Sequence, residues 1–305
     1  MGKFLLILML GLSVSSGIIV LNKNRQLLET NDMVVEHFSD LSAKNAANSG
    51  VFMALNRLYL DSSWRTGYSN QQLNNDTLNV TVADNGTDAS IPLNQVKITA
   101  TGQNGELLAS SEAMAFDRNF HDFAVWAKDS VKFVTTKDSM GVVDTTLTID
   151  YAPFMPYIDY TNLVNDAVSQ GHVYSGGGHF HPIADYPNPA SPSFYYSGLT
   201  PNVTHVESDL HVQNGRTVYG IYIVEGKILL DKNTTVEGII YAPNTATLIS
   251  NKDNASSYVT GGIVTWGAVD GKGYQIYVDH EPAYMRAFAS NYAPDNPRLR
   301  LLSWK

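Results

Sequence analysis

The stretch FLLILMLGLSVSSGIIVL, at Phe4–Leu21, carries no charged residue and opens a helical pattern that continues to about Leu60. Its length of about 18 residues is near the minimum for a helix that crosses a bilayer. The first proline of the chain is Pro92, so no proline interrupts this helix. At 1.5 Å per residue, a helix that continues from Phe4 to Leu60 extends about 85 Å. A simple membrane anchor needs a much shorter helix. We therefore predict that this helix holds many subunits together.

The composition favours a β-rich extracellular protein over a cytosolic enzyme. The chain has 305 residues, only 16% of them charged, and is rich in Gly, Asn, Ser, Thr and Tyr. Its net charge of −9 argues against nucleic acid as a partner, because the phosphate backbone attracts basic surfaces. It contains no cysteine, which excludes disulfides and thiolate metal sites.

The apolar segment allows three interpretations. A cleaved secretory signal would combine the basic Lys3, the apolar run and the small residues Ser13–Ser15. The second interpretation is a membrane anchor for a surface domain, whose orientation stays open because Lys3 and Lys23 flank it on both sides. The third is a helix that packs against copies of itself, and the spacing of the following residues favours it.

Two faces of the predicted helix have spacings typical of packing. Apolar residues recur at spacings of seven, four and three residues, which places them in a stripe on one side of a helix. The small residues beyond this stripe let helix backbones approach closely. The predicted assembly interface consists of Phe4, Leu5, Leu8, Leu12 and Ile18 in the apolar segment, Leu27, Val34, Phe38 and Leu41 in the apolar stripe, and Ala43, Ala47, Gly50 and Ala54 in the small-residue face. On this prediction, Gly50→Leu disrupts assembly and leaves the β domain folded.

This region resembles the N-terminal helix of type IV pilin-like proteins, especially of minor pilins. The shared pattern is an apolar first half, an amphipathic second half and a stretch of small residues, AKNAANSGVFMALNRL at Ala43–Leu58. Two features depart from it: Lys3 separates Gly2 from Phe4, and no glutamate lies near Leu8. The resemblance covers about the first 60 residues. It implies a surface filament built from copies of the chain, with insertion in the cytoplasmic membrane before assembly.

The remaining sequence predicts strands. Apolar and polar residues alternate at Leu78–Val82 and Val96–Ala100, as in half-buried strands. Later, apolar runs begin at Gly220, Gly238 and the pair Gly261-Gly262, with spacings of about 18 and then 24 residues that suit one coil of a parallel β-helix. A β-sandwich with glycine-rich turns is the alternative. The predicted fold class is α+β, with a long N-terminal helix and a β-rich domain that ends in a parallel β-helix.

Three segments follow from these patterns. Residues 1–62 form the helix, residues 63–155 an irregular β region, and residues 156–305 a solenoid-like domain that includes a loop at 175–197 and a C-terminal tail. The tail, Asn296–Lys305, is basic. In an acidic protein, we expect it to dock onto a neighbouring molecule.

Nothing in the sequence requires catalysis or a cofactor. His179 and His181 are weak metal candidates, since two histidines two residues apart on an extended segment point the same way, with His172 or Asp185 as a third ligand. A glycine-rich surface loop is the favoured interpretation, and we predict no metal. Glu207 and Asp209 suit a glycan-cleaving pair, but solvated strand faces produce the same pattern, and we predict no enzyme.

Tyrosine is abundant, with 17 residues, many of them in loop-like windows. Such residues suit subunit contacts or glycan stacking, because tyrosine joins an apolar ring to a polar tip. The leading functional prediction is therefore a subunit of an extracellular pilus-like filament. The alternative is a membrane-tethered β-helical adhesin that binds glycans or surfaces.

Overall fold

The computed structural model describes residues 2–187, 193–196, 198–245, 247–251 and 255–305, with side chains from Leu8 onward. The chain divides into two compact units. One unit contains the chain up to Asp117 together with Leu299–Lys305, and the other is Arg118–Arg298.

Both units contain regular elements. In chain order they are α1 (Gly2–Leu60), β1 (Tyr68–Leu73), β2 (Asp76–Asp84), β3 (Gln95–Asn104), β4 (Leu107–Asp117), β5 (Val125–Ala127), β6 (Val131–Lys132), β7 (Val134–Lys137), β8 (Thr148–Ile149), α2 (Tyr160–Gln170), β9 (Val173–Tyr174), β10 (His179–Phe180), β11 (Val203–Val206), β12 (Asp209–Val212), β13 (Thr217–Val224), β14 (Ile228–Leu230), β15 (Thr235–Ala242), β16 (Leu248–Asn251), β17 (Ser257–Thr265), β18 (Ala268–Asp270), β19 (Ile276–His280), α3 (Pro282–Tyr292) and β20 (Leu299–Trp304).

The first unit packs α1 on an antiparallel sheet with the strand order β1-β2-β3-β4-β20. Burial alternates along β2 and β3, as the sequence predicts for half-buried strands. The buried side of the sheet includes Leu78, Val80 and Ile98, which form one core with Val51 and Leu58 of α1. The long helix and the β-rich domain are thus confirmed.

The C-terminal tail belongs to this same sheet. It forms β20, which pairs with β4, and Trp304 Nε1 donates a hydrogen bond to Ser111 Oγ at 2.7 Å. The predicted docking of the tail onto a neighbouring molecule is therefore replaced by a contact within the unit. The physical reason is that β4 would otherwise have an unpaired edge.

The second unit is a parallel β-solenoid. One sheet has the order β10-β12-β14-β16-β18-β6, and the other has the order β7-β19-β17-β15-β13-β11-β9. The pairings between these named strands are parallel. This arrangement confirms the parallel β-helix and excludes the β-sandwich, whose sheets are antiparallel.

A column of glycines fixes the register of the solenoid. Gly220 lies beside Gly238, and Gly238 lies beside Gly261 in the next coil. A Cβ atom on Gly238 would lie 1.7 Å from the carbonyl oxygen of Gly220, and one on Gly261 would lie 2.1 Å from that of Gly238. The glycines on which the sequence prediction rests are thus required by the close approach of neighbouring coils.

The two units divide the chain differently from the three segments expected from the sequence. The borders lie near Asp117 and Leu299, inside the segments 63–155 and 156–305. The reason is that β5, β6 and β7 pair with β17, β18 and β19, and so join the solenoid.

Candidate functional site

Helix α1 consists of two parts with different surroundings. Every side chain from Leu8 to Phe38 is exposed, and burial begins at Ala43. We refer to residues 8–41 as the exposed segment and to residues 42–60 as the anchored segment. The anchored segment has its partner within the unit, whereas the exposed segment displays its apolar side chains to solvent.

The small-residue face lies in the anchored segment and packs on the unit's own sheet. Ala43, Ala47 and Ala54 are at most 1% exposed within a single chain. On the sheet side, a Cβ atom on Gly102 would lie 2.2 Å from the carbonyl oxygen of Ala43. A Cβ atom on Gly50 would lie 2.6 Å from Leu78 Cδ1. Small residues on both surfaces therefore let the helix approach its own sheet, and this corrects the prediction that they serve a contact between helices of different copies.

The apolar stripe lies on the opposite side of the helix. At about 100° per residue, its members are turned by about 180° from the small-residue face. Leu27 and Phe38 are 67% and 66% exposed, while Val34 and Leu41 are less so, at 46% and 41%. The stripe thus faces away from the sheet and is accessible to another molecule.

The N-terminal third adds further exposed apolar side chains. Leu8, Leu12 and Ile18 are all more than half exposed. Phe4 and Leu5, the other predicted interface residues of this third, lie outside the described side chains. Among the residues that the structure describes, no helix combines the length and the apolar character needed to cross a membrane.

The predicted histidine pair lies at the edge of the solenoid. His179 Nδ1 is 3.5 Å from Asp209 Oδ2, and the ring centroids of His181 and His211 are 4.7 Å apart. His211 in turn bonds Asp231, with 2.7 Å between Nε2 and Oδ1. Within the described parts of the chain, no three such side chains are arranged to hold a metal ion.

The predicted carboxylate pair is split between two surroundings. Asp209 Oδ1 accepts a hydrogen bond of 2.7 Å from the backbone N–H of Lys227 in the next coil, and its other oxygen faces His179. Glu207 follows β11, and its backbone N–H donates to the carbonyl of Tyr174. For Asp209 these contacts stabilise the stacking of coils.

The sequence did not predict one polar cluster, which lies beside α2. Tyr160, at the start of α2, donates a hydrogen bond to Glu225 Oε1, which also lies 3.0 Å from His205 Nε2. The hydrogen bond from Tyr160 holds the pKa of Glu225 below its usual value, and burial raises the pKa of Tyr160. One coil places Ile223 beside His205, and Glu225 lies two residues further on, so the coil length was the signal that could have paired His205 with Glu225.

Comparisons with known proteins give few matches. No protein-family model matches the chain, and no curated protein matches it in sequence. Among solved structures, the chain is similar to the crystal structure of the competence-associated pilin ComZ from Thermus thermophilus. The match is 11% identical, covers 88% of this chain and 97% of that chain, and has a TM-score of 0.25. A likeness this loose determines neither the arrangement nor the function of the chain.

Proposed function

We propose that this chain is a structural subunit of an extracellular pilus-like filament at the cell surface. In this proposal, the exposed segments of many copies pack together in the filament core, and the β-rich units lie outside it. The chain then acts through assembly with copies of itself and carries out no reaction.

The observation that supports this proposal is the exposed segment itself. A helix in water is stabilised mainly by packing of its apolar face, and this segment has no such packing from Leu8 to Phe38. Fully burying one Leu, Ile or Phe side chain contributes about 1.5–3 kcal/mol. Packing against copies would supply this burial along the whole segment, whereas a subunit that stays alone leaves the segment without it.

The first prediction concerns Leu27, which lies in the centre of the exposed segment. Leu27→Asp places a charge in the proposed filament core and leaves the anchored segment unchanged. We expect the variant to fold normally and to form no filaments. Electron microscopy of filaments sheared from expressing cells, together with circular dichroism of the purified chain, measures both outcomes.

Met140→Asp provides the matched control. Met140 is also an exposed apolar residue, at 83%, but it lies in the second unit. Its variant is expected to form filaments as the wild type does. Abundant filaments of Leu27→Asp would rule out the proposed core. The alternative of a membrane-tethered adhesin stays a prediction, and the same micrographs discriminate against it because an adhesin requires no filament.

A further inference from the structure

The exposed segment carries an unbalanced positive charge at Lys23. Arg25 pairs with Glu29 and Lys44 pairs with Asp40 on the same helix. Lys23, by contrast, forms no ion pair with any residue that the structure describes. It precedes Leu27 by four residues and therefore lies on the same side of the helix as the apolar stripe. When the stripe is buried against another copy, Lys23 enters the contact with it.

A notch with the opposite charge lies near the C-terminal end of the exposed segment. It has a volume of about 370 Å³ and is formed by α1 and the turn between β3 and β4. Its carboxylates are Asp32, Glu36 and Glu106, and Leu107 contributes an apolar wall. Within the described residues, none of these three carboxylates has a cationic partner.

We infer that Lys23 of one copy binds in this notch of a second copy, an inference that rests on the proposed filament. A buried charge is costly unless it is paired, so a contact that covers Lys23 needs a carboxylate at the matching position. The notch supplies carboxylates beside an apolar wall, which suits the ammonium group and the aliphatic stem of a lysine.

The pairing would set the stagger between copies. Lys23 precedes Asp32 by nine residues and Glu36 by thirteen, which corresponds to about 14 and 20 Å along the helix axis. Neighbouring copies in parallel orientation are therefore displaced along the helix axis by about 14 to 20 Å. The apolar stripe alone specifies no such register, because apolar contacts are not directional.

Charge exchange tests the pairing. Lys23→Glu and Glu36→Lys each place like charges together, and we expect either change to lower the filament yield by about tenfold. The double variant Lys23→Glu/Glu36→Lys restores opposite charges and is expected to recover most of the yield. A double variant that assembles no better than the single variants would overturn the inference.

Disulfide trapping measures the geometry directly, since the wild-type chain contains no cysteine. In Lys23→Cys/Glu36→Cys, the two positions of one helix are about 20 Å apart, too far for a bond within the chain. Oxidised filaments should therefore yield a ladder of linked chains. The control Lys23→Cys/Glu29→Cys carries its second thiol outside the notch and should yield no ladder. Equal linking in both variants would contradict the predicted stagger.

The outcomes separate this inference from the proposed function. If the wild-type chain forms no filaments, the proposed function fails and the inference fails with it. If the wild type and Lys23→Glu assemble equally well, the filament stands and only the role of the notch is overturned.

Discussion

At the scale of single residues, glycine determines how closely the coils of the solenoid approach. This geometry leads to a prediction for Gly238, where an added Cβ atom would lie 1.7 Å from the carbonyl oxygen of Gly220. The obstructing atom belongs to the backbone and cannot move without separating the coils. We expect Gly238→Ala to lower the free energy of unfolding of the second unit by about 3 kcal/mol. Urea unfolding followed by circular dichroism measures the loss.

Gly177→Ala is the control for this substitution. A Cβ atom at Gly177 meets no atom within 4 Å, so this variant should change stability by less than about 0.5 kcal/mol. If Gly238→Ala proved as stable as Gly177→Ala, the coils would be able to separate locally, and the glycine column would not set their spacing.

At the scale of elements, the sequence predicts the type of α1 and of the solenoid strands but not the partner of each face. The spacing of Ala43, Ala47 and Gly50 shows that something approaches the helix closely. It does not show what, because the partner residue Gly102 lies on a strand about 50 residues further on and has no helical spacing of its own. The apolar stripe is predictable for a different reason. Its exposure follows from its position opposite a face that is already covered.

This assignment changes the expected effect of Gly50→Leu. A Cβ atom at Gly50 would lie 2.6 Å from Leu78 Cδ1 and 3.0 Å from Ala100 Cβ, so a leucine would separate α1 from its sheet. We predict a loss of about 3 kcal/mol in the stability of the first unit, with assembly lost as a consequence. Thermal unfolding of the purified chain tests this directly.

Gly17→Leu is the matched change on the same helix. No atom lies within 4 Å of a Cβ built at Gly17, and leucine is a better helix former than glycine by about 1 kcal/mol. The folded unit should therefore keep its stability in this variant. If the first unit of Gly50→Leu proved stable, the small-residue face would instead have to be assigned to a contact between copies.

At the scale of the whole molecule, the second unit is an insertion between two neighbouring strands. Asp117, at the end of β4, pairs directly with Leu299, at the start of β20. The sequence could not show this, because β20 carries no signal for a partner from which the whole second unit, Arg118–Arg298, separates it. The polar cluster around His205 is different, since its pairing with Glu225 can be read from the sequence, but only once the length of a coil is known.

The adjacency of Asp117 and Leu299 leads to the last prediction. Replacing residues 118–298 with an Asn-Gly turn converts β4 and β20 into a simple hairpin, because this dipeptide favours the turn that joins antiparallel strands. The shortened chain keeps the complete five-strand order of the first unit, and we expect it to fold and to form filaments. A chain that also lacks residues 299–305 leaves one edge of β4 unpaired and should be less stable. A shortened chain that folds but forms no filaments would show that the solenoid contributes contacts to assembly.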